Sequence, residues 1–310
     1  MPLHPQAEQF LKDTASLPLS HELEPEALRA LVAGTAMSGT PPLASVTDTH
    51  APGPYGDLPL RIYRPVKEGL LPVIVFFHGG GFVLCSVDKY DPLCRKLAAE
   101  TGCAVVSADY RLAPEHKFPT AAHEAVFTVK WAAEQGAALG FDVSQIIVAG
   151  DSAGGNLAAV AVQQACSDDL PGTIIGQILI CPMTDFSHEY ESERQYASGY
   201  FLNRDMLDYF TRHYLRGDAD RLDPLASPML GRLSGLPPAL LITAEYDPLR
   251  DEGEAYGRLL MESGVGVVGR RYPGMIHGFY AMTDLFDDGH TVYEDIRRML
   301  HGLLPAPLQG

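Results

Sequence analysis

The stretch Gln145-Ile146-Ile147-Val148-Ala149-Gly150-Asp151-Ser152-Ala153-Gly154 decides how this chain folds. Its first five residues are rich in Ile and Val, as a strand covered on both faces requires. The Gly-x-Ser-x-Gly that follows opens an amphipathic stretch over residues 154–167. A sharp strand-to-helix turn would hold Ser152 above the sheet, at the positive end of the helix, and the glycines remove clashing side chains. A serine that only caps a helix is the alternative.

Outward from this turn, short apolar runs alternate with longer helical patterns. The alternation predicts βαβ units and a mainly parallel sheet, in which reactive groups gather where the strands end. The predicted strands cover residues 58–65, 72–78, 104–111, 145–150, 176–181, 239–245 and 267–272. The predicted helices cover residues 88–101, 120–135, 154–167, 251–263 and 292–303.

Two regions do not follow the alternation. Residues 1–40 have the pattern of helices followed by a loop rich in Gly, Thr and Pro, and residues 185–222 are polar and aromatic. The second region is long for a plain connection between two strands. We expect both regions to form cap elements over the catalytic edge of a single domain that spans residues 1–310. Peripheral packing helices are the alternative.

A second turn, His78-Gly79-Gly80-Gly81, directly follows a predicted strand. Consecutive glycines leave backbone N–H groups unshielded, and such donors can hold an oxygen that becomes negative during acyl transfer. We predict an oxyanion hole formed by the N–H groups of Gly80, Gly81 and Ala153, with His78 in a structural role. A phosphate-binding loop is disfavoured because no Gly-Lys-Ser/Thr follows.

The Ser152 hydroxyl needs a base, and His277 follows the predicted strand 267–272 at the same sheet edge. Asp247 follows the strand 239–245 and is the expected acid that fixes the imidazole tautomer. Asp251, about one helical turn further on, and Glu245, at the strand end, are the alternatives. The chain order Ser, Asp, His is that of α/β-hydrolases.

Composition excludes several classes of protein. The 23 basic and 39 acidic residues give a net charge of −16, which repels nucleic acids and anionic membranes. No apolar run is long enough for a membrane span. The N-terminal residues have no basic segment followed by an apolar run, so we expect no signal peptide and a cytoplasmic protein that binds no nucleic acid. Five cysteines without a C-x-x-C predict buried free thiols. His116 and His123 lack partners at metal-ligand spacing, so no metal is expected.

Four blocks of sequence together resemble the hormone-sensitive-lipase-like family of carboxylesterases, from about residue 40 to the C-terminus. The resemblance implies an α/β-hydrolase fold with a mainly parallel eight-stranded sheet, flanked by helices and covered by a helical cap. Residues 44–50 would then supply the first strand. The four blocks are His78-Gly79-Gly80-Gly81-Phe82, Asp109-Tyr110-Arg111-Leu112-Ala113-Pro114-Glu115, Gly150-Asp151-Ser152-Ala153-Gly154-Gly155-Asn156, and Asp247-Pro248-Leu249-Arg250-Asp251-Glu252-Gly253 with His277-Gly278-Phe279.

The same resemblance implies a serine carboxylesterase that hydrolyses short- to medium-chain acyl esters through an acyl-enzyme, with a small-molecule ester as its partner and no cofactor. A homodimer is compatible with it, since relatives commonly dimerise through a late strand or helix. An amidase or thioesterase would share the triad and stays open. A binding receptor of this fold would have an incomplete triad, whereas Ser152, Asp247 and His277 are all present.

Further residues receive less direct expectations. Arg111 and Glu115 are expected partners in a network beneath the glycine loop, and Asp151 is expected to help order the turn at Ser152. Ala113-Pro114 and Phe118-Pro119 are candidate cis peptide bonds. An apolar acyl pocket is expected, with ordinary core packing as the alternative for each member. Its candidate lining residues are Phe82, Tyr200, Phe201, Met275 and Phe279.

Overall fold

The computed structural model of the chain describes residues 2–15, 20–34, 39–167, 170 and 172–304. Eight strands of the described residues form one sheet. They are β1 (Ser45–Gly53), β2 (Gly56–Arg64), β3 (Leu71–Phe77), β4 (Ala104–Ala108), β5 (Phe141–Asp151), β6 (Ile174–Ile180), β7 (Ala239–Tyr246) and β8 (Val267–Ile276).

The described helices cover both faces of this sheet and extend beyond it. They are α1 (Pro5–Thr14), α2 (Pro25–Ala33), α3 (Val87–Thr101), α4 (Thr120–Gln135), α5 (Ala153–Ala165), α6 (Glu191–Gln195), α7 (Arg204–Tyr214), α8 (Arg250–Glu262) and α9 (Asp288–Leu303). Short 3₁₀ turns lie between several of them.

The sheet order is β1-β2-β4-β3-β5-β6-β7-β8. The β1–β2 and β2–β4 pairs are antiparallel, and every later pair is parallel. The α/β-hydrolase fold expected from the sequence is therefore confirmed, and the strand expected over residues 44–50 is β1. The predicted strands and helices are all present, with ends that differ by a few residues, as is usual for pattern-based boundaries.

The central strands explain why the sheet forms. β3 consists of Leu71-Pro72-Val73-Ile74-Val75-Phe76-Phe77, and every residue except Pro72 is buried. Successive side chains point to opposite faces, so Val73, Val75 and Phe77 join one apolar core while Ile74 and Phe76 join the other. Burial of both faces is the reason that the run is continuous rather than alternating.

The N-terminal helices and the insertion between β6 and β7 lie outside the sheet and contact each other. Between β6 and β7 the chain leaves the sheet and forms α6 and α7. The Phe201 ring contacts the Phe10 ring of α1 with centroids 5.4 Å apart, and the Tyr209 hydroxyl donates to the Leu23 carbonyl at 3.1 Å. The N-terminal helices and the insertion thus pack together. Parts of the expected cap, namely residues 1, 16–19 and 35–38, lie outside the described residues.

One expected pairing is wrong. Arg111 forms its ion pair with the buried Glu124 on α4, and Glu115 pairs with Arg29 on α2. Arg111 follows the end of β4 beside the first turns of α4, so a carboxylate on that helix lies nearer than Glu115.

Other expectations about the chain have definite outcomes. Both X–Pro bonds, Ala113-Pro114 and Phe118-Pro119, are cis as expected. All five cysteines are free, although Cys166 is exposed and Cys85 half-buried rather than fully buried. None of the described helices combines the length and apolar character that crossing a bilayer requires.

Candidate active site

Ser152 occupies a strained turn between β5 and α5. Its backbone has φ 53° and ψ −119°, a conformation that a residue with a side chain adopts only when its surroundings enforce it. Its N–H donates to the Ile180 carbonyl at 2.9 Å, and its own carbonyl accepts from Asn156 and Met183 at 3.1 Å each. These backbone hydrogen bonds fix the turn from both sides, and so fix the direction of the Ser152 side chain.

Gly154 allows the first turn of α5 to approach the end of β3. A Cβ atom at this position would collide with the carbonyl oxygens of Phe77 and His78. The close contact brings the start of the helix beside the chain that leads into the glycine loop. The motif therefore needs glycine at this position for packing as well as for the turn.

The three residues predicted as a triad form one hydrogen-bonded row. His277 Nε2 lies 3.1 Å from Ser152 Oγ, and His277 Nδ1 lies 2.7 Å from Asp247 Oδ2. An ionised carboxylate only accepts, so the Nδ1 proton donates to Asp247 and Nε2 is left to accept from the serine. The Leu249 N–H donates to the other Asp247 oxygen at 2.9 Å. All three residues are largely buried, since Ser152 is 8% exposed, His277 9% and Asp247 0%.

The alternative acids lie outside this row. Asp251 accepts from the Ser192 N–H at 2.9 Å and pairs with the Arg250 guanidinium at 2.8 Å. Glu245 accepts from the Gly274 N–H at 2.7 Å. Both carboxylates are thus engaged with other partners, while Asp247 contacts the imidazole.

Burial and charge act in opposite directions on His277. Burial by itself lowers the pKa of this imidazole, because the charged form loses water. The charge and hydrogen bond of Asp247, with a further contribution from the charge of Asp151, outweigh burial and leave the pKa above its ordinary value. The site therefore favours the imidazolium that a proton transfer from serine would create.

The glycine loop lies beside the Ser152 turn because β3 and β5 are neighbours, with Phe77 paired to Gly150. Gly80 and Gly81 have φ of 112° and 62°, and the loop closes through N–H groups of Val83 and Leu84 that donate to the Gly80 carbonyl. The N–H groups of Gly80, Gly81 and Ala153 have no hydrogen-bond acceptor within the described part of the chain. These three predicted donors are thus available to an external oxygen.

Two residues that contact the glycine loop, or the chain just after it, are not predicted by the sequence. Phe210 on α7 lies directly against Gly81, where a Cβ atom would enter its ring. Arg29 on α2 donates from Nε to the Val83 carbonyl and from Nη2 to the Ala113 carbonyl, at 2.7 Å each. Neither residue carries a motif, and only the folded chain brings them to the loop.

The five predicted pocket residues divide into two groups. Phe82, Met275 and Phe279 are at most 1% exposed, and Phe82 stacks on Tyr214 with ring centroids 3.8 Å apart. These three are packed into the core and offer a ligand no surface in this conformation. Tyr200 is half-buried and Phe201 is 49% exposed, with Phe201 placed next to the position of Gly278.

A thiol, a carboxylate and an imidazole also meet at this site. One ligand atom each from Cys181, Asp247 and His277 lies within 4.8 Å of the others. The Asp247 and His277 atoms bond to each other, so a metal ion would have to break the row that orients the imidazole. The arrangement suits proton transfer better than metal binding.

Backbone strain is concentrated at the same edge of the sheet. Within the described ranges, four residues other than glycine have positive φ. Phe82 and Cys85 follow β3, Ser152 follows β5, and Cys181 follows β6. All four positions lie after the carboxyl ends of strands around the row, where strain of this kind commonly accompanies function.

A serine, an aspartate and a histidine, in this chain order and on loops after the strands of a mainly parallel sheet, define the class of α/β-hydrolases. A family model described as an alpha/beta hydrolase fold matches residues 74–281, and the chain belongs to this family. The resemblance to hormone-sensitive-lipase-like carboxylesterases is thereby confirmed.

Individual relatives are similar over most of the chain. The chain is 41% identical to the carboxylic ester hydrolase LipN of Mycobacterium tuberculosis, over 81% of this chain and 68% of that protein. It is 40% identical to an ethyl acetate hydrolase of Pseudomonas putida, over 74% of each. The solved structure of a hyperthermophilic esterase from Pyrobaculum calidifontis superposes with a TM-score of 0.90 at 40% identity, covering 97% of this chain and 99% of that one.

Proposed function

We propose that the protein is a serine carboxylesterase that hydrolyses short- to medium-chain acyl esters through an acyl-enzyme. The observation that carries the proposal is the hydrogen-bonded row from Asp247 through His277 to Ser152, beside three N–H groups without an acceptor. The esterase names of the relatives support the same reaction class.

In the first half of the reaction, Ser152 Oγ attacks the ester carbonyl carbon while His277 Nε2 takes the hydroxyl proton. The carbonyl oxygen becomes negative and accepts hydrogen bonds from the N–H groups of Gly80, Gly81 and Ala153. A donor of this kind is worth about 3–4 kcal/mol in the transition state. The bond to the leaving oxygen then breaks, His277 returns the proton to that oxygen, and an alcohol departs.

In the second half, water attacks the acyl carbon and gives its proton to His277 Nε2. The tetrahedral intermediate collapses, the bond to Ser152 Oγ breaks, and His277 returns the proton to the serine. The acid leaves and the row is restored. Asp247 keeps Nε2 free of a proton at the start of each half, through the hydrogen bond that it accepts from Nδ1.

This mechanism sets the pH dependence. The base works only when the imidazole is neutral, so the rate falls as the pH drops below the raised pKa of His277. We expect the acidic limb of kcat/KM to lie above the ordinary histidine value of about 6.5. A rate profile between pH 5 and 9 measures the limb.

The decisive experiment compares the wild-type protein with Ser152→Ala on p-nitrophenyl acetate, butyrate, hexanoate and longer esters. We expect loss of at least about 10⁴-fold in kcat with an unchanged circular dichroism spectrum. A variant that keeps near-normal turnover would rule out this nucleophile. Matched ester, amide and thioester substrates separate an esterase from an amidase or thioesterase, and wild-type protein without turnover would support a binding receptor.

The cap and pocket belong to the same proposal. Residues 185–222 and the N-terminal helices form a cap over this sheet edge, and Tyr200 and Phe201 face the acyl chain. Phe82, Met275 and Phe279 could line the acyl pocket only after a rearrangement of the core that exposes their side chains. The test is the chain-length series, in which long-chain triacylglycerols should be cleaved far more slowly than butyrate or hexanoate esters.

Cellular location and assembly complete the proposal. A cytoplasmic location accords with the cysteine usage, since free thiols are typical of a reducing compartment. β8 is the last strand in the sheet order, so a second copy could pair along its outer edge to form a homodimer. Sedimentation velocity at micromolar concentration, with cell fractionation, would test both points.

A further inference from the structure

Asp151, the residue directly before Ser152, is a buried acid for which the mechanism above has no use. Its side chain is 4% exposed. One oxygen, Oδ2, accepts from the Tyr90 hydroxyl at 2.8 Å. The Tyr280 hydroxyl, on the turn that follows His277, and the Gly79 N–H are further hydrogen-bond partners of the carboxylate, and they act against the rise in its pKa that burial causes. A buried carboxylate destabilises a fold unless hydrogen bonds and charges replace the lost water, so its place beside a nucleophile calls for an explanation.

The carboxylate also lies against the start of the glycine loop. A Cβ atom at Gly79 would meet Asp151 Oδ2 and the Tyr90 hydroxyl, so the missing side chain makes room for this pair. Asp151 therefore touches the chain that leads into the predicted oxyanion hole, while its own backbone leads into Ser152.

The surroundings of Asp151 contain many titratable groups and one that becomes cationic near neutral pH. Burial raises the pKa of every neighbouring thiol and phenol, and it lowers the pKa of His78, so these groups stay neutral. The basic group whose charge acts on the carboxylate is His277. The neutral neighbours are Tyr90 and Cys94 on α3, Tyr110 after β4, His78 and Cys85 around the glycine loop, Cys181 after β6, Tyr280 after β8, and Tyr293 on α9.

We propose that Asp151 is a second carboxylate for His277: without contacting substrate, it stabilises the imidazolium through space, while Asp247 orients the ring. The inference rests on the proposed function. In a dry environment a charge acts over a longer distance than in water, so direct contact is not needed. Burial raises the pKa of Asp151 to about 6, which leaves the carboxylate ionised at the neutral and higher pH at which His277 acts as a base.

The first test is the Asp151→Asn variant, which keeps the size of the side chain and removes its charge. We expect the acidic limb of kcat/KM to move to lower pH by about half a unit or more, because the imidazolium loses a stabilising charge. We expect kcat at the plateau to fall about tenfold and KM to change by less than about threefold. Asp218→Asn on the far cap, whose side chain is 98% exposed, is the control and should leave the limb in place.

The Tyr90→Phe variant separates the effect of the Asp151 charge from the structural role of Asp151 at the glycine loop. It removes the hydrogen bond to Oδ2 and leaves the carboxylate on the chain. If Asp151 only held the glycine loop, Asp151→Asn and Tyr90→Phe would lower kcat alike and neither would displace the limb. That result would overturn the proposal, as would an unmoved limb in Asp151→Asn alone.

A titration of the resting protein needs neither turnover nor a folded Asp151 variant. The His277 Cε1–H resonance, assigned by comparison with His277→Gln, is followed by NMR between pH 4.5 and 9. We expect a titration in two steps, since Asp151 ionises in the same range and changes the imidazole. A single step would contradict the proposal. If the titration has two steps but ester turnover is absent, the proposed function fails while the coupling stands.

Discussion

The turn at Ser152 and the insertion between β6 and β7 are built in opposite ways. All residues of α5 but one are buried, and the first turn of the helix rests backbone to backbone on the end of β3. Five of the eleven residues of α7 are buried, three are half-buried and three are exposed, and the outer face of the helix is polar. The first region holds its atoms in place through close backbone packing, while the second is held mainly through side-chain contacts.

The insertion packs against the loops around the row, and three of its contacts lie close to the row or to the predicted oxyanion hole. Phe210 presses on Gly81, Phe201 lies beside Gly278, and Tyr200 packs on Tyr246 with ring centroids 5.3 Å apart. Each contact falls on a residue next to, or part of, a loop that carries the row or the predicted oxyanion hole. From this comparison we propose that the sheet edge carries the chemistry and that the insertion selects among substrates.

The largest difference in kcat is expected between substitutions of two aspartates that lie close together in the sequence. Asp247→Asn should lower kcat about 10⁴-fold, because an amide can donate to Nδ1 and hold the wrong tautomer. Asp251→Asn, which alters a contact to the insertion at Ser192, should stay within about threefold of wild type. Steady-state kinetics on p-nitrophenyl butyrate measures both, and equal losses would remove the distinction between the regions.

Substitutions of two glycines are expected to give the next largest contrast, which is in the free energy of unfolding. Gly154→Ala should lower the free energy of unfolding by about 3 kcal/mol, since a Cβ there collides with main-chain carbonyls that cannot move aside. Gly217→Ala in the insertion, where nothing lies within 4 Å of the new Cβ, should change it by less than about 0.5 kcal/mol. Thermal and urea unfolding compare the two, and a destabilised Gly217→Ala would indicate that the insertion is as tightly packed as the turn.

The smallest effect is expected at Phe201. Because its ring is half exposed, Phe201→Ala should cost less than about 1 kcal/mol of stability. It should raise KM for hexanoate esters about threefold while acetate esters are unaffected, since only the longer chain gains from an apolar contact. A larger loss of kcat/KM with acetate esters would indicate that this ring affects the chemical step rather than the selection of the acyl chain.

The sequence was most informative where a motif coincides with the end of a strand. Ser152, Asp247 and His277 each follow a predicted strand, and a parallel sheet brings such ends to one edge. The alternation of short apolar runs with longer helical patterns also makes the parallel sheet predictable. The roles of these residues remain predictions, although their positions are now described.

Other features depend on long-range packing that a single sequence does not encode locally. The contact of Phe210 with Gly81 depends on which face α7 turns to the sheet, and the bonds of Arg29 cross more than 50 residues. The resemblance makes Arg111 and Glu115 expected partners in one network, whereas the neighbouring helix supplies Glu124 as the partner of Arg111. Met275 and Phe279 are among the expected pocket residues, but their side chains belong to the core.

The positive-φ residues after β3, β5 and β6 have a consequence for heat resistance. Each strained backbone stores about 1–3 kcal/mol that is released as soon as its surroundings loosen. Loss of order during heating should therefore begin at the rim that carries Ser152, while the central strands are still paired. Such a protein would lose activity several degrees below the midpoint of helix unfolding. The difference between the inactivation temperature and that midpoint would report the strain energy stored at this edge of the sheet.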